Sequence, residues 1–163
     1  MKIGFFGVGH MGGPMAANLV KAGHEVVAFD LMPALLETVV KEGAKAASSA
    51  VEAVAGVDVV VSMLPSAGAV RGLYLGDDGV LPHIDKSALI IDCSTIDADT
   101  ARDVAAIARE QGRVMIDAPV SGGVGGAKAG TLTFICGGPS DAIDRGRPVL
   151  ECMGAQVFRA GDN

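Results

Sequence analysis

The sequence predicts an α/β protein built on a doubly wound, mostly parallel β-sheet with helices on both faces. Three observations point to this fold. Short apolar runs alternate with amphipathic segments, half of the 163 residues are hydrophobic while a fifth are charged, and a Gly-x-Gly-x-x-Gly motif follows the first apolar run. A parallel sheet is buried on both faces, so it needs this apolar composition. We expect residues 1–163 to form one domain.

The first part of the chain reads as three strands separated by helices. Strands are predicted at KIGFFG, HEVVAFD and VDVVVSML. A helix closed by Gly23 follows the first strand, and Pro33 suits the first turn of a second helix that runs to Gly43. After the short stretch AKAA, Ser48 or Ser49 is expected to cap a third helix with a glutamate near its first turn.

The remainder continues this alternation. PSAGAVRGLYLG is predicted as a loop and short helix, and SALIIDCS and RVMIDAP as strands. An amphipathic helix is expected from Asp97 or Asp99 to Gly112. GTLTFICGG and AQVFRAG are predicted strands on either side of the helix PSDAIDRGRPVLECMG. The sequence leaves open whether these last two strands extend the sheet or form an antiparallel edge.

Composition excludes several classes of partner. A net charge of −6 and a single tyrosine argue against nucleic acid, which requires concentrated Lys and Arg. No apolar run reaches the roughly 18 residues of a membrane span, and the first residues lack the pattern of a signal peptide. Cys93, Cys136 and Cys152 are widely spaced, so we expect neither a metal site nor disulfides. The prediction is a cytoplasmic protein without a membrane partner.

The first glycine motif predicts a dinucleotide site of the Rossmann type. Gly7 would allow a tight turn, Gly9 would let the backbone approach a pyrophosphate, and Gly12 would let the helix pack closely on the strand. The helix N-terminus then presents free N–H groups to the phosphates. The motif alone is weak evidence, because methyltransferases that bind S-adenosylmethionine carry similar glycines.

Asp30 makes NAD the expected cofactor. It ends the second predicted strand, 18 residues after Gly12, where a carboxylate accepts hydrogen bonds from the adenosine ribose. The following residues, LMP, supply no arginine for the 2′-phosphate of NADP. The alternative role for Asp30 is to cap the helix that begins near Pro33.

A second glycine-rich stretch, DAPVSGGVGGAKAGTLTF, spans Asp117 to Phe134. Consecutive N–H groups in such a turn can form an anion-binding nest, to which the Ser121 hydroxyl would add a donor. The alternative is a tight connection in which Gly122 and Gly123 only supply positive φ angles. The residues by themselves favour the tight connection.

The sequence resembles the 3-hydroxyacid dehydrogenase family along essentially its whole length. The resemblance rests on GFFGVGHMGGPMAANLVKAGHEVVAFD, SMLPSAGAV, LYLGDDGVL, IIDCSTID and DAPVSGGVGGAKAGTLTFICGG. Within the family, SGGVGGAKAGTLTF is most similar to the 3-hydroxyisobutyrate dehydrogenases. One departure is His10, where the family commonly has asparagine; we interpret it as a local backbone partner.

The resemblance implies two sets of binding residues. Ser121, Gly122 and Gly123 would hold the substrate carboxylate. Apolar residues would surround the adenosine, and two strand-end hydroxyls would lie near the nicotinamide ribose; strand-end packing or helix capping is the alternative role for these positions. The implied NAD contacts are Gly7, Val8, Gly9, His10, Met11, Gly12, Asp30, Met63, Leu64, Pro65, Val70, Ser94 and Thr95. Lys128 is interpreted as a solvated lysine.

The resemblance also implies an activity. Family members oxidise small 3-hydroxy acids with NAD, and 3-hydroxyisobutyrate would give methylmalonate semialdehyde in valine breakdown. Their proton-transferring lysine follows a G-x-x-G-x-G-x-x-x-K pattern that begins a helical domain, and no residue here matches it. We therefore expect the lysine beyond Asn163, an inactive isolated chain, and a homo-oligomeric full-length enzyme. The alternatives are a tartronate semialdehyde reductase and a non-catalytic, NAD-sensing module.

Overall fold

A nine-stranded sheet with seven helices forms the molecule, and the computed structural model describes residues 1–163. The strands are β1 (Lys2–Phe6), β2 (Glu25–Phe29), β3 (Lys45–Ala46), β4 (Val59–Ser62), β5 (Leu89–Asp92), β6 (Val114–Asp117), β7 (Val120–Ser121), β8 (Leu132–Gly137) and β9 (Gly154–Gly161). The helices are α1 (Gly12–Lys21), α2 (Pro33–Lys41), α3 (Ala50–Ala53), α4 (Ala67–Leu75), α5 (Ala98–Glu110), α6 (Gly123–Ala129) and α7 (Ser140–Met153).

The sheet is doubly wound, which confirms the predicted fold class. Its strand order is β3-β2-β1-β4-β5-β6-β8-β7, with β9 paired to β8. The six strands from β3 to β6 are mutually parallel. From β1 the chain builds the sheet in one direction, through β2 to β3. It then crosses back to the other side of β1 and continues from β4 to β6, so the strand order reverses between β1 and β4. Open α/β sheets bind ligands at such a point, beside the carboxyl ends of the strands.

Alternate residues of the central strands supply two separate cores. Phe5 and Ile91 pack with Leu19 of α1 on one face, in a cluster that includes α2, α6 and α7. Their neighbours Phe6 and Ile90 pack on the other face, with α3, α4 and α5. Successive side chains of a strand point to opposite faces, so uninterrupted apolar strands require helices on both sides.

The structure decides the pairing of the last two strands. Strand β8 runs antiparallel to β6 and β7, and β9 runs parallel to β8. These strands therefore extend the parallel sheet with an antiparallel part. The second glycine-rich stretch forms regular secondary structure, namely β7 and α6. The chain turns from β7 into α6 at Gly122 and Gly123, which have φ values of 132° and 62°, and Gly130 ends the helix at φ 69°.

The cap of α5 is Asp97, one of the two residues at which this helix is predicted to begin. Its Oδ1 accepts a hydrogen bond from the Thr100 backbone N–H at 2.8 Å, and its Oδ2 accepts one from the Thr100 hydroxyl at 2.9 Å. These hydrogen bonds hold the pKa of Asp97 below its ordinary value. A depressed carboxyl pKa means that the cap stabilises the fold above the ordinary pKa and loses this effect as pH falls.

Asp97→Ala should lower the Tm by about 2–4 °C at neutral pH, the usual consequence of losing a cap in a domain of this size. The difference from wild type should shrink as pH falls below about 4, where the carboxyl is protonated. Asp99→Ala is the matched control, because Asp99 is exposed and only reaches Arg102 at 3.7 Å. Equal Tm losses in the two variants, measured by thermal unfolding, would contradict the capping role.

Candidate functional site

A cleft of about 810 Å³ opens beside the carboxyl ends of β1, β2 and β4, where the strand order reverses. Phe6 and Gly7 come from the end of β1, Asp30 follows β2, and Met63 follows β4. Nine of the thirteen predicted NAD contacts line this cleft. They are Gly7, Gly9, His10, Met11, Gly12, Asp30, Met63, Leu64 and Pro65.

The three motif glycines have different local environments. Gly7 has φ +85°, and a Cβ on it would overlap the Met63 carbonyl oxygen. A Cβ on Gly12 would overlap the Gly7 carbonyl oxygen, so close packing of helix and strand requires glycine there. No protein atom lies within 4 Å of the Cβ position of Gly9. This open space lets a pyrophosphate approach the backbone at Gly9, so the loop fits a dinucleotide.

The Asp30 carboxylate is fixed by two backbone donors. Its Oδ2 accepts a hydrogen bond from the Val8 N–H at 2.9 Å, and its Oδ1 accepts one from the Met32 N–H at 2.9 Å. The first bond ties the glycine loop to β2, while the second shapes the turn before α2. Each carboxylate oxygen has two lone pairs, so acceptor capacity remains for ribose hydroxyls. Asp30 therefore has a local structural role beside the predicted ribose contact.

Four predicted contacts do not line the cleft. The Val8 side chain is buried, and its N–H is bound by Asp30. Val70 is fully buried in the core. Ala69 and Leu73 of the same helix line the cleft instead. Thr95 is exposed but lies outside the cleft lining.

Ser94 departs most clearly from its predicted role near a ribose. It is only 3% exposed, and its hydroxyl donates to Asp92 Oδ1 at 2.6 Å. The Ser94 hydroxyl oxygen in turn accepts a hydrogen bond from the Leu64 N–H at 2.9 Å. A serine hydroxyl has one proton to donate, so the Asp92 bond uses its whole donor capacity. Ser94 thus acts inside the protein at a strand end, as the alternative interpretation anticipated.

An apolar wall of the cleft was not predicted. Leu31 and Met32 follow Asp30 directly and remain 89% and 59% exposed, respectively. With Phe29, Leu35 and Leu73 they line the side of the cleft nearest β2 and α4. Apolar side chains that line a cleft suit the flat face of an aromatic ring such as adenine. The sequence signal was the apolar pair immediately after the acidic strand end.

The second glycine-rich stretch lies outside this cleft. Ser121, Gly122 and Gly123 are exposed, and Ser121 pairs with Thr133 across β7 and β8. A smaller cleft of about 470 Å³ lies between α1, α2 and α6, and Lys128 is exposed at its edge. Residues 8–10 of the first glycine loop also line this second cleft, together with Val124 of α6, so the two glycine-rich segments border a common cleft.

The cysteines are all free thiols. Burial raises the pKa of the Cys136 thiol to about 11 and that of the Cys93 thiol well above its ordinary value. No three side chains of the His, Cys, Asp or Glu type come together as metal ligands would. None of the helices combines the length and apolar character that crossing a membrane requires.

Residues 2–161 match the family described as the NAD binding domain of 6-phosphogluconate dehydrogenase. The chain belongs to this family. Membership confirms the predicted cofactor, NAD, and agrees with the open glycine loop and the carboxylate after β2. The resemblance to the 3-hydroxyacid dehydrogenases is confirmed as well.

Two curated relatives come from Pseudomonas aeruginosa. A 3-hydroxyisobutyrate dehydrogenase is 56% identical over 99% of this chain, and an NAD-dependent L-serine dehydrogenase is 53% identical over 98% of it. Among solved structures, 3-hydroxyisobutyrate dehydrogenase from Mycobacterium tuberculosis with L-serine superposes with a TM-score of 0.95, at 45% identity over 99% of this chain. This chain covers 54% of the length of each of the three, so it spans about half of the relatives it matches.

Proposed function

We propose that this chain is the cofactor domain of an NAD-dependent dehydrogenase that oxidises a small 3-hydroxy acid. The observation that carries the proposal is the cleft at the strand-order reversal, where Gly9 leaves open space beside the backbone and the Asp30 carboxylate lines the cleft. Bound NAD supplies a hydride acceptor for oxidation of an alcohol. The residues of this chain would bind and orient the two halves of the dinucleotide.

The preferred substrate in this proposal is 3-hydroxyisobutyrate, and the product is methylmalonate semialdehyde, as in valine breakdown. L-serine is a second candidate, because one relative is named an L-serine dehydrogenase and a similar structure is described with L-serine. Both molecules have a primary alcohol carbon next to the carbon that bears the carboxylate. They differ at that central carbon, which carries a methyl group in one and an ammonium group in the other. Oxidation of the primary alcohol to an aldehyde is therefore the same reaction for both.

Ser121, Gly122 and Gly123 are proposed to hold the carboxylate that these substrates share. The two glycines adopt positive φ angles, and all three residues are exposed. Consecutive N–H groups in such a turn attract anions. The proton acceptor is proposed to be the lysine of the family's helical domain, which no residue of this chain matches.

A substrate panel tests the proposal. In the full-length enzyme we expect NAD reduction with 3-hydroxyisobutyrate or L-serine, and slower reduction of NADP. Preferred turnover of tartronate semialdehyde with NADH would instead establish the reductase alternative. NAD binding without turnover of any 3-hydroxy acid would favour the sensing module. The cytoplasmic location and the homo-oligomeric assembly stay predictions.

Ser121→Ala should lower kcat/KM of the full-length enzyme by about 5- to 150-fold, the range for losing one donor to a charged group. NAD affinity should stay unchanged, because Ser121 lies outside the NAD cleft. Ser140→Ala is the control, since Ser140 is an exposed serine at the start of α7. Steady-state kinetics of both variants decide the matter, and an unaltered kcat/KM for Ser121→Ala would leave the turn with a structural role alone.

A further inference from the structure

Two walls of the NAD cleft are tied to a single buried carboxylate that is not part of the cleft lining. The first wall is the segment Met63–Pro65 after β4, and the second is helix α4. We infer that Asp92, the last residue of β5, is a positioning residue that fixes both walls for dinucleotide binding. The inference rests on the NAD-binding role of the cleft and adds a residue that acts on it indirectly.

The centre of this arrangement is one oxygen atom. Asp92 is 1% exposed, and its Oδ1 accepts hydrogen bonds from the Ser94 hydroxyl at 2.6 Å, the Ser62 hydroxyl at 2.7 Å and the Ser94 N–H at 3.2 Å. Burial raises the pKa of the Asp92 carboxyl, while these donors oppose the rise. Oδ1 remains an acceptor in either protonation state, because a proton can reside on the other oxygen.

The first connection leads to the segment after β4. Because Ser94 donates its only hydroxyl proton to Asp92, its oxygen is left to accept the Leu64 N–H at 2.9 Å. Leu64 and its neighbours Met63 and Pro65 line the cleft. Asp92 therefore fixes the orientation of the Ser94 hydroxyl, and through it the backbone of this wall.

The second connection leads to α4. Ser62 donates its proton to Asp92, so the Tyr74 hydroxyl must be the donor in its 2.7 Å hydrogen bond with Ser62. Tyr74 is 1% exposed, while Leu73, the residue before it, lines the cleft. Burying a tyrosine hydroxyl without a partner is costly, so this bond restricts how α4 can rotate or shift.

A double-mutant cycle on NADH affinity tests the inference. Tyr74→Phe and Ser62→Ala should each weaken NADH binding by about 2- to 10-fold, the range of one net hydrogen bond. Asp92→Ala should weaken it more than either, because both walls lose their support. Adding Tyr74→Phe to Asp92→Ala should cost less than the sum of the two single losses, because without Asp92 nothing orients the Ser62 hydroxyl toward Tyr74. Asp92→Asn, which keeps an acceptor oxygen in the same place, should restore most of the affinity.

Thr100→Val is the control for a general loss of stability. Thr100 is buried, its hydroxyl donates to the Asp97 cap of α5, and it is not among the residues that line the cleft, so this variant should lower the Tm and leave NADH affinity unchanged. If Asp92→Ala fails to fold, the cycle of Ser62→Ala with Tyr74→Phe replaces it, and the double variant should bind NADH as the single variants do.

The outcomes separate the inference from the proposed function. Additive losses in the cycle, or wild-type NADH affinity in folded Tyr74→Phe and Ser62→Ala variants, would overturn the role of Asp92 alone. Absence of NADH binding by the wild-type chain would overturn the cofactor role and the inference together.

Tyrosine fluorescence gives a second measurement. The chain has one tyrosine and no tryptophan, so its tyrosine fluorescence reports Tyr74 alone. This emission should change in Ser62→Ala and Asp92→Ala but not in Thr100→Val.

Discussion

Gly9→Ala should weaken NAD binding by about 10- to 100-fold while the protein stays folded. The added methyl group meets no protein atom within 4 Å, so the free protein has room for it. It would occupy the space through which a pyrophosphate approaches the backbone, and inserting a methyl group into a packed contact typically costs about 1–3 kcal/mol. Titration with NADH and a thermal unfolding curve measure the two properties separately.

Gly12→Ala is the matched comparison, because the same methyl group there has a different environment. It would overlap the Gly7 carbonyl oxygen and press on the Phe5 ring. We expect a lowered Tm together with weak NADH binding. If Gly9→Ala bound NADH as tightly as wild type, the dinucleotide would have to lie elsewhere, and the motif would have only a packing role.

Much of the fold could be predicted because its signals are local. Pro33 begins α2, and Ser49 caps α3 with its hydroxyl accepting the Glu52 N–H at 3.1 Å. Glycines end several helices where an L-residue would be strained. These signals act within four or five residues, so no tertiary information was needed. The alternation of strands and helices then restricts the topology to a doubly wound sheet.

The pairing of β8 and β9 could not be predicted, because it depends on contacts between distant segments. Either direction would bury the same apolar side chains, and the sequence carries no turn signal that selects one. The second glycine-rich stretch posed a similar problem. Its glycines at 122 and 123 indicated a turn, yet α6 forms beyond them because Ala127 is fully buried against the core.

The site predictions also differ in outcome according to whether they depend on local sequence or on contacts between distant segments. Residues whose backbone faces the ligand, such as Gly9, follow from the position of the motif between a strand and a helix. Val70 and Ser94 depend on how a helix is rotated and where a hydroxyl finds its partner. Ser94 follows a buried strand, and the nearby carboxylate of Asp92 accepts a hydrogen bond from its hydroxyl. A strand-end hydroxyl can thus bind a ligand or support the wall beside it, and only the structure distinguishes these roles.

Asp30→Ala should weaken NAD binding by about 1–3 kcal/mol and reduce the preference for NAD over NADP by at least about tenfold. The carboxylate is expected to accept hydrogen bonds from ribose hydroxyls and to repel a 2′-phosphate. It also binds the Val8 N–H, so its removal releases the glycine loop as well. Asp30→Asn separates these effects, because the amide keeps one carbonyl oxygen for a backbone donor but loses the charge. Titrations with both dinucleotides give the two affinities and their ratio.

Asp58→Ala is the control for this prediction. Asp58 lies at the amino end of β4, whereas the cleft lies at the carboxyl ends of the strands, and the Asp58 Oδ2 accepts the Lys2 N–H at 2.7 Å. The variant therefore loses the same carboxylate and the same kind of backbone hydrogen bond, at a distance from the cleft. We expect wild-type affinity for both dinucleotides. If Asp30→Asn kept the full preference for NAD, charge repulsion would not be the source of selectivity, and discrimination would have to come from the shape of the apolar wall formed by Leu31 and Met32.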